Sequence, residues 1–176
     1  DGMTKAIDYL KSLGHKHIGY IGGRELMGPE QEPFVDIRER TYLKLIKEDD
    51  DICSSSQDVY INLFDGQTGF EAISKALTKE KIPTAFVCAS DSIAMGALAA
   101  IGENWNYLPH KVSVIGFNDI ASAKFFNPPL TTIRLDTKSM GEMAVVLMAH
   151  LLEEEESVPV KITCMNQLIV RSSVYE

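Results

Sequence analysis

The run Val112-Ser113-Val114-Ile115-Gly116-Phe117 is apolar at nearly every position. A strand with one wet face alternates apolar and polar residues. One that does not alternate is buried on both faces, as in a parallel sheet covered by helices on each side. His17 to Ile21, stopped by Gly22-Gly23, and Thr84 to Cys88 read the same way, and Val59 to Leu63 and Thr131 to Leu135 add two more strands. Between them the apolar residues fall at three-and-four spacing. Met3, Ala6, Ile7, Leu10 and Leu13 predict a helix over residues 2–13 ended by Gly14, and Ile37, Tyr42, Leu45 and Ile46 a second, running into the acidic Glu48 to Asp51. Phe70, Ile73 and Leu77 follow the N-cap candidate Asp65, and a helix from Ser92 to Asn104 follows Ser90-Asp91. Asn118-Asp119 opens a short helix or turn that Pro128-Pro129 ends. Met140, Met143, Leu147 and Leu151 mark a long helix, and two extended pieces, Val160 to Cys164 and Gln167 to Arg171, close the chain. A polar loop through Gly28, Pro29 and Pro33 and a solvated helix end at Glu153 to Glu156 complete the pattern. Strands separated by helices predict an α/β fold with right-handed crossovers and helices on both sheet faces.

Composition narrows the classes. With 45% apolar residues in 176, the chain can fill the core of one domain or two small subdomains, and general disorder is excluded. No stretch approaches the roughly 20 apolar residues of a membrane-spanning helix, and no charged-then-apolar leader opens the chain. Cys53, Cys88 and Cys164 are odd in number and far apart, which argues against a disulfide framework and for a reducing, cytoplasmic compartment. Acidic residues outnumber basic ones 25 to 17, so this stretch is not expected to grip nucleic acid by itself. The chain opens on a helix where such domains ordinarily open on a strand, which predicts an N-terminal subdomain completed by upstream residues.

In open parallel sheets, ligands sit beyond the carboxyl ends of the strands. Three strands here run into polar residues: into Ser90-Asp91, into Asn118-Asp119, and through Gly22-Gly23 and a loop to Asp36-Ile37-Arg38. Such amides, carboxylates and a guanidinium match vicinal hydroxyls, which both donate and accept hydrogen bonds. Phe64, just after a strand, offers an aromatic face for a sugar ring or a base. Each residue also has an ordinary structural reading: Ser90, Asp91, Asn118 and Asp119 as caps and turns, Arg38 as a solvated charge, Phe64 as core. The helix carrying Ile93, Met95, Ala97, Leu98 and Ile101 is apolar nearly all round and must be buried on two sides. One side is the sheet; the other is a partner's copy or the rest of its own domain. His15-x-His17 lacks a third ligand and reads as turn and surface residues, so no metal site is expected. Gly19-x-x-Gly22-Gly23 lacks dinucleotide-fingerprint spacing, and there is no G-x-S-x-G elbow. Neither a cofactor nor a catalytic residue is expected.

Leu13-Gly14-His15-Lys16-His17-Ile18-Gly19-Tyr20-Ile21-Gly22-Gly23 resembles the LGHxxIxxIGG signature of the LacI/GalR family of sugar-responsive transcription repressors. Pro83-Thr84-Ala85 through Ser90-Asp91, with Ala94-Met95-Gly96-Ala97-Leu98, is similar to its PTAxxxxND-xxAxGAL segment. Val112 to Ile120 resembles VSVVGFDDI, Pro128 to Arg134 resembles PPLTTIR, and Leu168 to Ser173 resembles the closing LVVRxS. The resemblance implies a regulatory core like the periplasmic sugar-binding proteins, with two hinged subdomains. They would divide as 1–58 (partial N-terminal subdomain), 59–135 (main part of the C-terminal subdomain) and 136–176 (crossing between or completing them). It implies an upstream helix-turn-helix domain that reads operator DNA, a homodimer in which Ile93, Met95, Ala97, Leu98 and Ile101 meet the partner, and a small effector, a sugar such as galactose or a derivative. Arg38, four before Tyr42, stands where the family places the arginine that holds the effector's hydroxyls. Phe64, five before Gly69, stands at the aromatic position, and Ser90 and Asn118 at two polar positions facing the cleft, beside Asp36 and Asp91. Here Ser90 replaces the commoner Asn and Asn118 the commoner Asp, and Leu135 is apolar where some members are polar. The competing expectations are a transporter's sugar-binding protein of the same fold, and an enzyme.

Overall fold

The computed structural model describes residues 1–28, 32–153 and 158–176. The loop expected at Pro29 and the helix end expected at Glu154 to Glu156 lie outside them. The chain opens on α1 (Gly2–Ser12), whose Met3, Ala6, Ile7 and Leu10 form the buried stripe that their spacing predicts. The Asp1 carboxylate caps it, accepting from the Thr4 N–H at 3.1 Å. Then come β1 (Ile18–Gly23), an antiparallel hairpin of β2 (Glu25–Met27) and β3 (Glu32–Phe34), and α2 (Ile37–Glu48). β4 (Val59–Asn62), α3 (Gly66–Ala76), β5 (Ala85–Cys88), α4 (Asp91–Glu103) and β6 (Ser113–Asn118) follow. β7 (Thr131–Leu135), α5 (Thr137–Glu153) and β8 (Asn166–Ile169) end the fold.

Six strands join in the order β4-β1-β5-β6-β7-β8, parallel except for β8, which runs antiparallel to β7. From β1 the chain winds outward to β4, then crosses back over β1 to β5 and continues the other way. Right-handed crossovers of opposite direction put their helices on opposite faces. α1 and α2 pack together on one face and α3 and α4 on the other. The central strands β1 and β5 are therefore buried at every position. The boundary expected at residue 58 does not coincide with a break in the sheet, because β1 from the first segment lies between β4 and β5 from the second.

The second extended piece forms as β8, but the one expected at Val160 to Cys164 is not a strand. Among the described residues no strand lies beside it, and an extended segment without a ladder partner gains nothing from its β pattern. The same region keeps its apolar side chains in solvent. Met140, Val145, Val146, Met148 and Leu152 on α5, with Val158, Val160 and Ile162 after it, are all exposed.

α3 and α4 approach closely because glycines line their seam. A Cβ built on Gly96 would lie 1.7 Å from the Gly66 carbonyl oxygen, and one on Gly69 1.9 Å from that of Ile93. His15, expected at the surface, is buried instead. Its Nδ1 lies 2.9 Å from Thr84 Oγ1, and its Nε2 lies 2.9 Å from the Tyr175 carbonyl and 3.0 Å from Ser113 Oγ. It thereby ties the turn after α1 to the entries of β5 and β6 and to the C-terminal tail. His17 sits 3.1 Å from Asp58 Oδ2, and no metal-holding cluster occurs among the described residues. No helix of the described residues is long and apolar enough to cross a membrane.

Two outcomes follow from this packing. Ala is the better helix former by about 1 kcal/mol, yet Gly96→Ala must push α4 off α3. Overpacking of this kind costs about 1–3 kcal/mol, so urea denaturation of Gly96→Ala is expected to show a net loss of stability. For His15, burial is the largest influence and lowers its pKa below the ordinary value of 6.5, against the opposing bond to the Tyr175 carbonyl. A group whose pKa is depressed in the folded state contributes stability above its unfolded pKa and loses it as pH falls through the folded one. The melting temperature is therefore expected to decline as pH drops below about 6.5, and the decline in that window is expected to flatten in His15→Gln.

Candidate functional site

The reversal of winding leaves a crevice at the carboxyl ends of the strands, the position where open α/β sheets bind ligands. A cavity of about 650 Å³ opens there, lined by Asp36, Arg38, Phe64, Ser90 and Asn118 among others. Each arrives on a different connection: Asp36 and Arg38 at the start of α2, Phe64 after β4, Ser90 after β5, and Asn118 at the end of β6. Five of the six residues expected from the sequence thus converge.

Arg38 is the organising group. Its Nε donates to Asp36 Oδ1 at 2.8 Å and its Nη2 to Asp36 Oδ2 at 2.5 Å, a bidentate pair. Its Nη1 donates to the Ala89 carbonyl. The guanidinium carbon lies 5.4 Å from the Phe64 ring centre and 5.8 Å from that of Phe117, a double cation–π contact. Asp36 also accepts from the Arg38 backbone N–H at 2.7 Å and so caps α2. Burial acts most strongly on this carboxyl and would raise its pKa, but the hydrogen bonds and charge of Arg38 together hold it below the usual carboxylate range. The pair is ionised, rigid and partly exposed to the cavity, with side-chain exposures of 24% for Arg38 and 14% for Asp36.

Ser90 caps α4 by accepting from the Ile93 N–H at 3.2 Å, which leaves its hydroxyl hydrogen available. Asn118 lies in a left-handed backbone conformation, φ 108°, and Asp119 in another, φ 54°. Asn and Asp tolerate this region better than other side-chain-bearing residues. The turn is clamped from three sides. Arg134 Nε and Arg171 Nη2 donate to the Asp119 carboxylate at 2.6 and 2.7 Å, and Asp91 Oδ2 accepts from the Ile120 N–H at 2.8 Å. The Asn118 amide makes no hydrogen bond to the described residues and is exposed at the crevice.

Asp91 is the correction. It does not line the cavity but is fully buried beneath it, where Thr132 Oγ1 donates to its Oδ1 at 2.6 Å. Burial raises its pKa, against the bonds from Thr132 and Ile120. Its role is to hold the Asn118 turn from below. The dimer face also needs revision. Ile93 and Ala97 are completely buried and Leu98 and Ile101 nearly so, because α3 covers the side of α4 away from the sheet. Of the five residues expected at a partner, Met95 is the exposed one, at 49%. Most of the apolar surface of α4 is covered inside the chain.

Ile37, Thr41, Ser92, Phe117, Leu135 and Asn166 also line the cavity. Phe117 belongs to a continuous apolar strand, so nothing local marks it as the residue that emerges at the rim. Asn166 reaches the site only because β8 returns antiparallel beside β7. Its carbonyl is held by Lys5 Nζ at 2.5 Å, and its side-chain Oδ1 is buried without a hydrogen-bond partner.

A family model described as a periplasmic binding protein-like domain matches residues 7–174. The HTH-type transcriptional regulator GalR of Lacticaseibacillus casei is 33% identical over 173 residues, 97% of this chain and 52% of that protein. The HTH-type transcriptional repressor PurR of Pasteurella multocida is 31% identical over 177 residues, 99% of this chain and 50% of that one. The crystal structure of a regulatory protein of LacI family from Chloroflexus aggregans superposes with a TM-score of 0.82 at 24% identity, covering 98% of this chain and 60% of that chain. The chain spans about half the length of the curated relatives it matches.

Thr132→Val keeps the shape of the side chain but strands a buried carboxylate oxygen of Asp91. Leaving a buried acceptor unpaired costs about 1–3 kcal/mol. Chemical denaturation is expected to show a loss in that range, and an unchanged midpoint would mean that Asp91 does not depend on this bond.

Proposed function

The chain belongs to the periplasmic binding protein-like domain family, as carried by LacI/GalR-type regulators, and on that basis we propose that it is the effector-binding and dimerising part of a transcription repressor. The observation that carries this reading is the meeting of Arg38, Phe64, Ser90 and Asn118 at one cavity of about 650 Å³, although they are far apart in sequence. Guanidinium, carboxylate, hydroxyl and amide groups arranged around an aromatic ring suit a hydroxylated ring ligand, and galactose or a derivative is the effector we propose. No catalytic role is assigned to any of these residues.

The apolar side chains left in solvent on α5 and after it support a second lobe, completed by upstream residues, that closes over the crevice. A ligand touching both lobes favours one hinge angle by its differential affinity for the two states. In a cytoplasmic homodimer, joined at the α4 edge that carries Met95, that angle would set the spacing of two upstream helix-turn-helix heads on operator DNA. Effector and operator would then change each other's affinity reciprocally, typically by about 1–3 kcal/mol.

In calorimetry on the full-length polypeptide, Arg38→Ala is expected to weaken galactose binding by about 1.5–3 kcal/mol, the scale of lost charge-assisted hydrogen bonds. The same substitution should abolish the response of operator affinity to the sugar. Unchanged sugar affinity would remove Arg38 from the site.

A further inference from the structure

Three helix N-termini converge on the cavity: α1 at Gly2 and Met3, α2 at Asp36 to Arg38, and α4 at Ser90 and Ser92. Helix N-termini carry partial positive charge and ordinarily favour an anion. In this crevice the anions are built in. Asp1 caps α1, Asp36 caps α2, and the Ser90 hydroxyl caps α4, so each helix already has an acceptor of its own. Among the described residues the one cation lining the cavity is Arg38, and three of its five N–H groups are engaged, two by Asp36 and one by the Ala89 carbonyl, so its charge is already paired while two N–H groups remain for a neutral hydroxyl. Asp36 is held ionised. The remaining polar groups, Thr41, Ser90, Ser92, Asn118 and Asn166, are neutral.

From this balance we propose, resting on the effector reading above, that the crevice selects an uncharged, hydroxyl-bearing ligand and rejects its phosphorylated counterpart. A phosphate dianion would lie among the Asp1 and Asp36 carboxylates with no unpaired cation among the described lining residues to receive it. Removing such a charge from water is costly unless a partner replaces its hydration.

The test is calorimetry on the full-length polypeptide with paired probes: galactose against galactose 6-phosphate, and glucose against glucose 6-phosphate, with hypoxanthine as a base without hydroxyls. The expected result is binding of a neutral sugar with its phosphate at least tenfold weaker. Ser92→Lys, on the exposed first turn of α4, adds a free cation and is expected to shrink that ratio. Melting curves check that the variant is folded. A phosphate bound as tightly as its parent sugar, in a manner lost in Arg38→Ala, overturns the preference while leaving the cleft as the effector site. Binding that Arg38→Ala does not alter, or hypoxanthine bound in place of every sugar, overturns the proposal together with the reading beneath it.

Discussion

The site exists because the sheet changes its direction of winding at β1. The chain runs from β1 to its outer neighbour β4 and then returns across β1 to β5, so the helices following β1 and β4 cover opposite faces. At the carboxyl ends of β1 and β5 the connections diverge, and among the described residues the gap between them stays open as the cavity. Every group discussed here, from Arg38 to Asn118, sits on a connection that borders this gap. Had the sheet been wound in one direction only, the same strands would have ended under continuous loops.

That geometry makes a demand on the polar residues at the rim. A guanidinium and a carboxylate half withdrawn from water are tolerable only when paired, and Arg38 and Asp36 pair bidentately between two aromatic rings. The left-handed turn at Asn118 likewise needs outside support. Asp119 draws Arg134 and Arg171 to it, and Asp91 holds the next N–H from below. The cavity lining is therefore held by contacts within the chain, and a pre-organised lining lowers the ordering cost of binding in general.

Much of this was legible from residue order because the signals were local. Strand and helix periods placed nearly every element, and Asp65 and Ser90 serve as the caps their positions suggested. The polar tips of successive strands pointed to the crevice, and family resemblance singled out Arg38 and Phe64. The failures were all of one kind: a residue's pattern said that it needed a partner but not which one. α4 needed an apolar neighbour besides the sheet, and α3 packs along it, so of the five residues expected at a partner only Met95 is exposed. Val160 to Cys164 had strand character and found no ladder among the described residues. Asp91 looked like a rim carboxylate and was drawn under the rim by Thr132 and the Ile120 N–H. His15 looked like a turn residue and was claimed by three distant segments.

The sequence by itself determined the class of fold, the rim at which the crevice opens and most of the residues that stand there. Hydrophobic period, caps and strand-end polarity act over a few residues and can be read along the chain. Tertiary structure alone decided which side chains face the cavity, that Asn166 joins them from the returning strand, and that Arg38 is already neutralised by Asp36. Those outcomes depend on contacts between segments remote in sequence, where burial forces each polar group to take whichever partner the packing brings within reach.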